Sequence, residues 1–189
     1  MKRITFASIF ALVVLAWTGE ARAQATPYEF NAHVGAFKWD DDLGPEDTDV
    51  MAGIRFMLHY PSGWGWGGNF DWVKADETRV LPGEDVDTNL YLYSFEIDYT
   101  FPSASRAKFF VGAGVGGATI KVDDFDLPGP EAGGGSETHA LVPLAGGVKF
   151  GNRPTRPTWA IRGDLRDNII FGDETSHNLE ASGGVSFFF

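Results

Sequence analysis

Apolar and polar residues alternate with a period of two along most of the chain, which is the pattern of β-strands with one apolar face. In the segment 90–101, aromatic and branched residues from Tyr91 to Phe101 share one face, while Ser94 and Glu96 share the other. The same pattern recurs along the chain and predicts eight strands. They span about residues 28–39, 50–60, 64–74, 90–101, 108–122, 139–150, 159–170 and 178–189.

The connectors between these strands alternate in length. The odd-numbered ones are mostly long, and the even-numbered ones are shorter. They cover residues 40–49, 75–88, 123–137 and 171–177, and residues 61–63, 102–106 and 151–157, respectively. Long loops at one end and tight turns at the other are typical of transmembrane barrels, and a tilted strand crosses a bilayer in roughly 9–11 residues. The sequence therefore predicts an all-β fold, an eight-stranded antiparallel up-and-down transmembrane β-barrel with both mature termini at the short-turn, periplasmic end.

The two faces of each strand decide what the barrel exposes. A continuous aromatic face is hard to pack inside eight strands, whose interior only just holds side chains. An arginine that faced lipid at mid-depth would cost about 2–4 kcal/mol. We therefore expect the apolar faces to contact lipid and the polar faces to line the lumen. The lumenal charges predicted to form a network are Arg55, Asp71, Glu96, Asp98, Arg162, Asp164, Arg166 and Glu180.

Hairpin spacing predicts two ion pairs within this network. Arg166 and Glu180 lie at similar distances from the connector between their strands, as do Arg55 and Asp71, so antiparallel pairing makes them neighbours. Pro143 lies inside the sixth strand, where it cannot donate to the ladder, and we interpret it as a bulge.

Glycines on the lumenal faces allow two interpretations. They could make room for large side chains that cross a narrow barrel, or they could leave a channel open. Nine positions share this parity: Gly35, Gly53, Gly65, Gly67, Gly112, Gly114, Gly116, Gly147 and Gly184.

The start of the chain has the features of a secretory signal. Two basic residues precede the apolar run 4–17, and the tripeptide 21–23 (Ala-Arg-Ala) has the small-x-small pattern of a cleavage site. The run is shorter than the ~20 residues that a membrane-spanning helix needs. We therefore expect a cleaved signal peptide at residues 1–23 and a barrel domain at residues 24–189.

Composition excludes several classes of function. The 26 acidic and 15 basic residues give a net charge of −11, which disfavours nucleic acid as a partner because phosphate binding needs a basic surface. The chain has no cysteine, so it has no disulfide, no cysteine-ligated zinc, no iron–sulfur cluster and no thiol nucleophile.

The end of the chain, 183–189 (GGVSFFF), alternates small and apolar residues up to a terminal aromatic. It resembles the C-terminal signal of bacterial outer-membrane proteins, with Phe187 and Phe189 as the signal residues. Segments 109–122, 141–152 and 161–167 are similar to the porin-like outer membrane protein β-barrel domain family, of the outer-membrane protein A and X type. The resemblance implies localisation in the bacterial outer membrane and recognition by the barrel-assembly machinery.

Motifs for catalysis or cofactors are weak. The segment 112–117 matches G-x-G-x-x-G, but the residues after it continue a strand, whereas a dinucleotide site needs a helix there. His33, His59 and His139 take lumenal parity, and His177 lies in a connector beside Ser176. A lipid deacylase would need histidine and serine together on the lipid face. We therefore expect no cofactor, no resident metal and no enzymatic activity.

The long connectors are acidic, and three lysines lie just below them with lipid-facing parity. These are Lys38, Lys74 and Lys121, predicted to end the first, third and fifth strands. A lysine there can extend its apolar stem along the barrel wall and its ammonium to the interface. We expect them to contact lipopolysaccharide phosphates, with divalent cations bridging those phosphates to carboxylates such as Asp40 and Asp123. Ordinary interfacial lysines with no specific lipid remain an alternative.

Three functions are compatible with this pattern. The first is a non-enzymatic barrel with an envelope-structural or surface-interaction role. The second is a narrow porin for water, ions or small solutes, and the third is a lipid A-modifying enzyme. Charged side chains in an eight-stranded lumen favour the first over the second.

Overall fold

The computed structural model describes residues 28–40, 48–81, 84–122, 135–154 and 156–189. These residues form eight strands that close into one antiparallel barrel, in which each strand pairs with the next along the chain and β8 pairs with β1. Among the described residues, no helix is long and apolar enough to cross a membrane. The strands are β1 (Tyr28–Lys38), β2 (Thr48–His59), β3 (Trp64–Leu81), β4 (Glu84–Thr100), β5 (Ala107–Val122), β6 (Gly135–Gly151), β7 (Trp159–Phe171) and β8 (Thr175–Phe188). The predicted fold class is confirmed.

The first and last strands close the barrel beside the short turns. The main chains of Tyr28 and Phe189 exchange two hydrogen bonds, with N–O distances of 2.9 and 3.1 Å. We call this the turn end; it carries the connectors 60–63, 101–106 and 152–158. The opposite end, which carries the other four connectors, is the loop end.

The third connector is shorter than predicted. β3 and β4 continue past the predicted limits to Leu81 and Glu84, with register shifts between Ala75 and Thr78 and between Arg79 and Leu81. The prediction failed because these residues have no apolar face, whereas strand pairing uses main-chain groups and does not require burial. β6 and β8 also begin earlier than predicted, at Gly135 and Thr175.

Pro143 does not produce the predicted bulge. The pairs Ala113–Leu144 and Gly116–Leu141 lie on either side of it in the same register, and on the β7 side Pro143 pairs with Asn168 without a shift. Proline removes one donor, and the β5–β6 ladder is interrupted over the two intervening pairs without gaining a residue.

The barrel wall has the polarity predicted for a membrane protein. Large apolar side chains cover its outside, including Val50 at 74% exposure and Leu165 at 70%. Inside, Glu29 and Asn31 are fully buried, and Arg55 is 1% exposed. At the turn end, aromatic rings pack side by side on the outer wall, such as Trp64 against Tyr99 and Tyr28 against Phe189. Such a belt is typical of the membrane interface.

The interior has two layers. The half nearer the turn end holds most of the buried charged side chains; Asp49 lies in the other half and accepts a hydrogen bond from Nε1 of Trp39 at 2.6 Å. The half nearer the loop end holds a cluster of apolar side chains, which we call the apolar layer: Phe37, Trp39, Met51, Val73, Leu90, Leu92, Ala118, Leu141 and Ile170, each at most 5% exposed. Register aligns several of its members across neighbouring strands, because Val73 pairs with Leu90 and Leu141 pairs with Ile170.

Candidate functional site: the lumen and its two ends

Glu29 lies at the centre of the charged layer. Its carboxylate accepts hydrogen bonds from Ser186 Oγ at 2.6 Å, Lys149 Nζ at 2.7 Å and Arg162 Nη1 at 3.3 Å, and lies 2.6 Å from His59 Nε2. These groups come from β1, β2, β6, β7 and β8, so one carboxylate links five strands.

A second group of ion pairs crosses the barrel. Arg166 on β7 donates two hydrogen bonds to Glu96 on β4, with N–O distances of 2.8 and 2.7 Å. Arg55 on β2 donates to Asp164 at 3.2 Å, and its Nε lies 3.7 Å from Glu96. Asp98 lies 3.5 Å from Lys149 Nζ. All of these side chains are buried, so each charge depends on its partners for stabilisation in place of water.

The two predicted ion pairs differ in outcome. Arg166 and Glu180 are neighbours that make only a long contact, whereas the register keeps Arg55 and Asp71 apart. Arg166 stands opposite Glu180, but their closest ion-pair distance is 3.8 Å and the tighter partner of Arg166 is Glu96. Arg55 stands opposite Asn69, while Asp71 stands opposite Gly53. The expected Arg55–Asp71 pair is therefore displaced by two residues. Asp71 is held by His33 and Asn69.

Two features of the lumen were missed by the sequence analysis. The ring of Phe110 lies under the Arg162 guanidinium, 4.0 Å from centroid to Cζ, and within 5.2 Å of Lys149 Nζ. Such contacts stabilise buried cations. The apolar layer was missed as well. The sequence feature that could have revealed this layer is the presence of apolar residues on both faces of the strands near the loop end, as at Ile169 and Ile170.

The lumenal glycines lie against packed side chains. A Cβ at Gly147 would lie 2.6 Å from Cζ of Phe110, and a Cβ at Gly53 would lie 2.5 Å from Nε2 of His33. Of the two interpretations left open, room for large side chains fits this packing.

Three described residues could offer ligand atoms to a metal. The closest such atoms of His33, Asp71 and Glu180 lie within 4.8 Å of one another. Each residue is already engaged, because His33 bonds Asp71 at 2.7 Å and Glu180 accepts from Asn168 at 3.1 Å and Ser182 at 3.0 Å. The Arg166 Nε at 3.8 Å from Glu180 adds a positive charge that disfavours a cation there.

Ser176 and His177 are neighbours on β8, and their side chains point to opposite faces. Ser176 is buried in the lumen, whereas the exposed ring of His177 meets Asp167 on the outer wall at 2.9 Å. These two residues therefore do not form a catalytic pair. Among the other histidines, His139 lies 3.6 Å from Glu137 near the loop end.

The three lysines expected near lipopolysaccharide are exposed on the outer wall. Lys74 and Lys121 both pair with Asn89 and so lie in one row across β3, β4 and β5. Lys38 ends β1 as predicted, whereas Lys74 lies inside the extended β3. Asp40 accepts a hydrogen bond from the main chain of His177 at 2.7 Å. Asp123 and most of the acidic connectors lie outside the described residues, as does the predicted signal peptide.

Phe187 and Phe189 both lie exposed at the turn end. Phe189 stacks on Tyr28 at 6.0 Å between ring centroids and packs against Phe56 at 6.5 Å. The terminal aromatic is therefore part of the belt and of the seam where the barrel closes.

An apolar outer wall around a closed eight-stranded barrel with buried charges defines a membrane-spanning β-barrel of the outer-membrane class. The chain belongs to the family described as the outer membrane protein beta-barrel domain, whose sequence profile matches residues 5–187. It is accordingly a protein of the bacterial outer membrane.

Solved structures similar to this chain share its fold. Neisserial surface protein A matches with 18% identity and a TM-score of 0.67, over 86% of this chain and 97% of that one. Ail, the attachment invasion locus protein of Yersinia pestis, crystallised with the heparin analogue sucrose octasulfate, matches with 12% identity and a TM-score of 0.62, over 88% and 100%. The N-terminal barrel of Pseudomonas aeruginosa OprF matches with 13% identity and a TM-score of 0.58, over 87% and 98%. A sequence search among curated proteins finds no match.

Proposed function

We propose that this protein is a non-conducting and non-enzymatic barrel with an envelope-structural or surface-interaction role. The observation that carries the proposal is the double obstruction of the lumen. The apolar layer crosses it near the loop end, and below that layer the ion pair between Arg166 and Glu96 joins strands on opposite sides of the barrel. Ions would have to pass the apolar layer and break buried ion pairs.

The test is conductance of the refolded barrel, residues 24–189, in planar lipid bilayers. We expect no stepwise current from the wild type. The variant Phe37→Ala/Leu90→Ala/Arg166→Ala removes parts of both layers and should conduct, which shows that the assay detects an open lumen. Defined single-channel steps from the wild type would favour the narrow porin instead.

The lipid A-modifying alternative is weaker. Such an enzyme would need a histidine and a serine together on the lipid face, and Ser176 points into the lumen, away from His177. Expression of the protein should leave the mass of lipopolysaccharide unchanged. A new lipid A species that depended on this protein would overturn the non-enzymatic assignment.

We further propose that Lys38, Lys74 and Lys121 contact lipopolysaccharide phosphates at the loop end, which then faces the cell exterior, with both termini periplasmic. The row of Lys74, Asn89 and Lys121 supports this, because Trp72 donates to Asn89 at 2.9 Å beside it. Tryptophan with lysine is typical of an interface. Divalent cations at Asp40 and the acidic connectors would bridge to the same phosphates.

Replacement of all three lysines by glutamine should reduce the thermal stabilisation that lipopolysaccharide gives to the refolded barrel. Replacement of the same three by arginine keeps the charge and serves as the matched control. Lipopolysaccharide-dependent stabilisation that is undiminished in the glutamine variant would contradict the contact.

A further inference from the structure

The lumen opens at the turn end into a cavity of about 820 Å³. Its wall combines the inward faces of the strands with the three short turns. Five basic side chains line it, which define what we call the basic vestibule: Arg106, Lys108, Lys149, Arg153 and Arg156. A cavity of this size lies within the range of small-molecule sites.

The charge of the basic vestibule is not balanced locally. Its lining includes no Asp or Glu side chain. Lys149 is paired with Glu29 and Asp98 at the inner end. For the other four cations, no ion pair exists with any carboxylate in the described parts of the chain. The side chains that line the basic vestibule therefore carry an excess of positive charge.

Two of these cations face each other directly. Lys108 on β5 stands opposite Lys149 on β6, and both take lumenal parity. Like charges directly opposite in an antiparallel pair are destabilising. Stability alone would favour an acid or a neutral residue at position 108, so this arrangement indicates an anionic ligand.

The third turn holds its arginines in a defined geometry. The side-chain oxygen of Asn152 accepts from the main chain of Thr158 at 3.0 Å, and Gly151 donates to the carbonyl of Arg106 at 2.9 Å. Arg156 has a φ of 50°, in the left-handed region that non-glycine residues seldom adopt. Such strain is concentrated at functional positions.

We propose that the basic vestibule binds phosphate-bearing anions with two or more negative charges. Guanidinium groups bind phosphate oxygens in pairs, and a lysine adds a point charge. Apolar groups such as Phe101, Pro157 and Phe188 complete the wall and strengthen the attraction by excluding water. The phosphate could belong to a soluble compound or to the headgroup of an anionic phospholipid, since the aromatic belt places the bilayer interface at this end of the barrel.

The first experiment titrates pyrophosphate into the refolded barrel in a zwitterionic detergent, followed by calorimetry. Lys108→Gln should weaken binding by about tenfold or more, which corresponds to about 1.4 kcal/mol. Lys108→Arg should retain it. Arg79→Gln removes one positive charge from β3 near the loop end and should bind as the wild type does.

A second readout separates binding from simple loss of structure. Without ligand, Lys108→Gln should be at least as resistant to urea as the wild type, because it removes the like-charge pair. Pyrophosphate should raise the urea midpoint of the wild type and leave that of Lys108→Gln unchanged.

An experiment in lipid vesicles distinguishes the two sources of phosphate. The barrel is reconstituted in phosphatidylcholine vesicles with and without phosphatidylglycerol, and acylation of Lys108 by a water-soluble amine reagent is measured by mass spectrometry. Protection by phosphatidylglycerol without pyrophosphate binding would assign the site to a lipid headgroup, and pyrophosphate binding would assign it to soluble phosphates. The proposal is overturned if neither ligand acts, if Lys108→Gln binds pyrophosphate as tightly as the wild type, or if citrate binds as tightly as pyrophosphate.

Discussion

Arg166 illustrates how a buried charge stabilises a narrow barrel. Its guanidinium spans the lumen from β7 to the Glu96 carboxylate on β4, with two short hydrogen bonds. Both side chains are at most 7% exposed. Loss of Arg166 would leave the buried Glu96 with only the more distant Arg55, at 3.7 Å, as a compensating charge, which costs more than the intact pair contributes.

Arg166→Ala should therefore lower the free energy of unfolding by about 3–5 kcal/mol. Urea unfolding followed by tryptophan fluorescence measures this change. Leu165→Val, at the neighbouring position on the lipid-facing wall, is the control and should have a much smaller effect. A loss for Arg166→Ala as small as that of the control would show that the pair does not stabilise the barrel.

Gly147 is the second test at the residue scale. A valine there would force its side chain against the ring of Phe110, on which the Arg162 guanidinium stacks. We expect Gly147→Val to destabilise the barrel by about 1–3 kcal/mol, the cost of overpacking.

Gly146→Val is the matched control for this substitution. It points outward, where the nearest heavy atom to a new Cβ is 3.9 Å away. Equal unfolding midpoints for Gly147→Val and Gly146→Val would contradict the packing role of Gly147.

At the scale of the strand, the end of β8 and Phe189 after it have one role that the structure describes and one that we predict. Phe187 and Phe189 belong to the aromatic belt, and Phe189 also packs on β1 and β2 at the closing seam. The resemblance of the chain end to an assembly signal predicts that the barrel-assembly machinery also recognises these residues. The two roles predict different effects of substitution on assembly in cells and on refolding in detergent.

Phe187→Ala/Phe189→Ala should reduce the amount of folded protein in the outer membrane of cells several-fold. Refolding into detergent in vitro should be affected much less, since the machinery is absent there. Phe150→Ala removes an aromatic with similar exposure from β6 and serves as the control. If the double variant assembled in cells as efficiently as Phe150→Ala, these residues would not be the signal.

At the scale of the whole molecule, the barrel has no free edge. β8 pairs with β1, so every strand has two neighbours. A closed set of main-chain hydrogen bonds resists detergent and leaves no strand open to association.

Unheated and boiled samples of the refolded protein should therefore migrate differently on a detergent gel. The unheated form should also resist proteolysis within the strands. Identical migration of the two samples would mean that the barrel is not closed under these conditions.

The sequence by itself determined the number of strands, their order and the face that each presents to lipid. These properties are local, because side chains alternate across a strand and a strand needs a minimum length to cross a bilayer. For the same reason all eight predicted network residues have lumenal parity, from Arg55 on β2 to Glu180 on β8. Alternation could not detect that β3 continues past Lys74 and that β4 begins before Leu90, because the residues there have no apolar face.

Only the tertiary structure decided which side chains meet inside the barrel. Closure brings β4 opposite β7, so Glu96 binds Arg166 although 70 residues separate them. It also gathers apolar residues from seven strands, together with Trp39, into one layer, and arginines from two separate turns into one basic vestibule. The physical reason is that the sequence of a strand fixes which face of the barrel each of its side chains points to. The register of all eight strands fixes the position of each side chain along the barrel axis, and therefore which side chains it contacts.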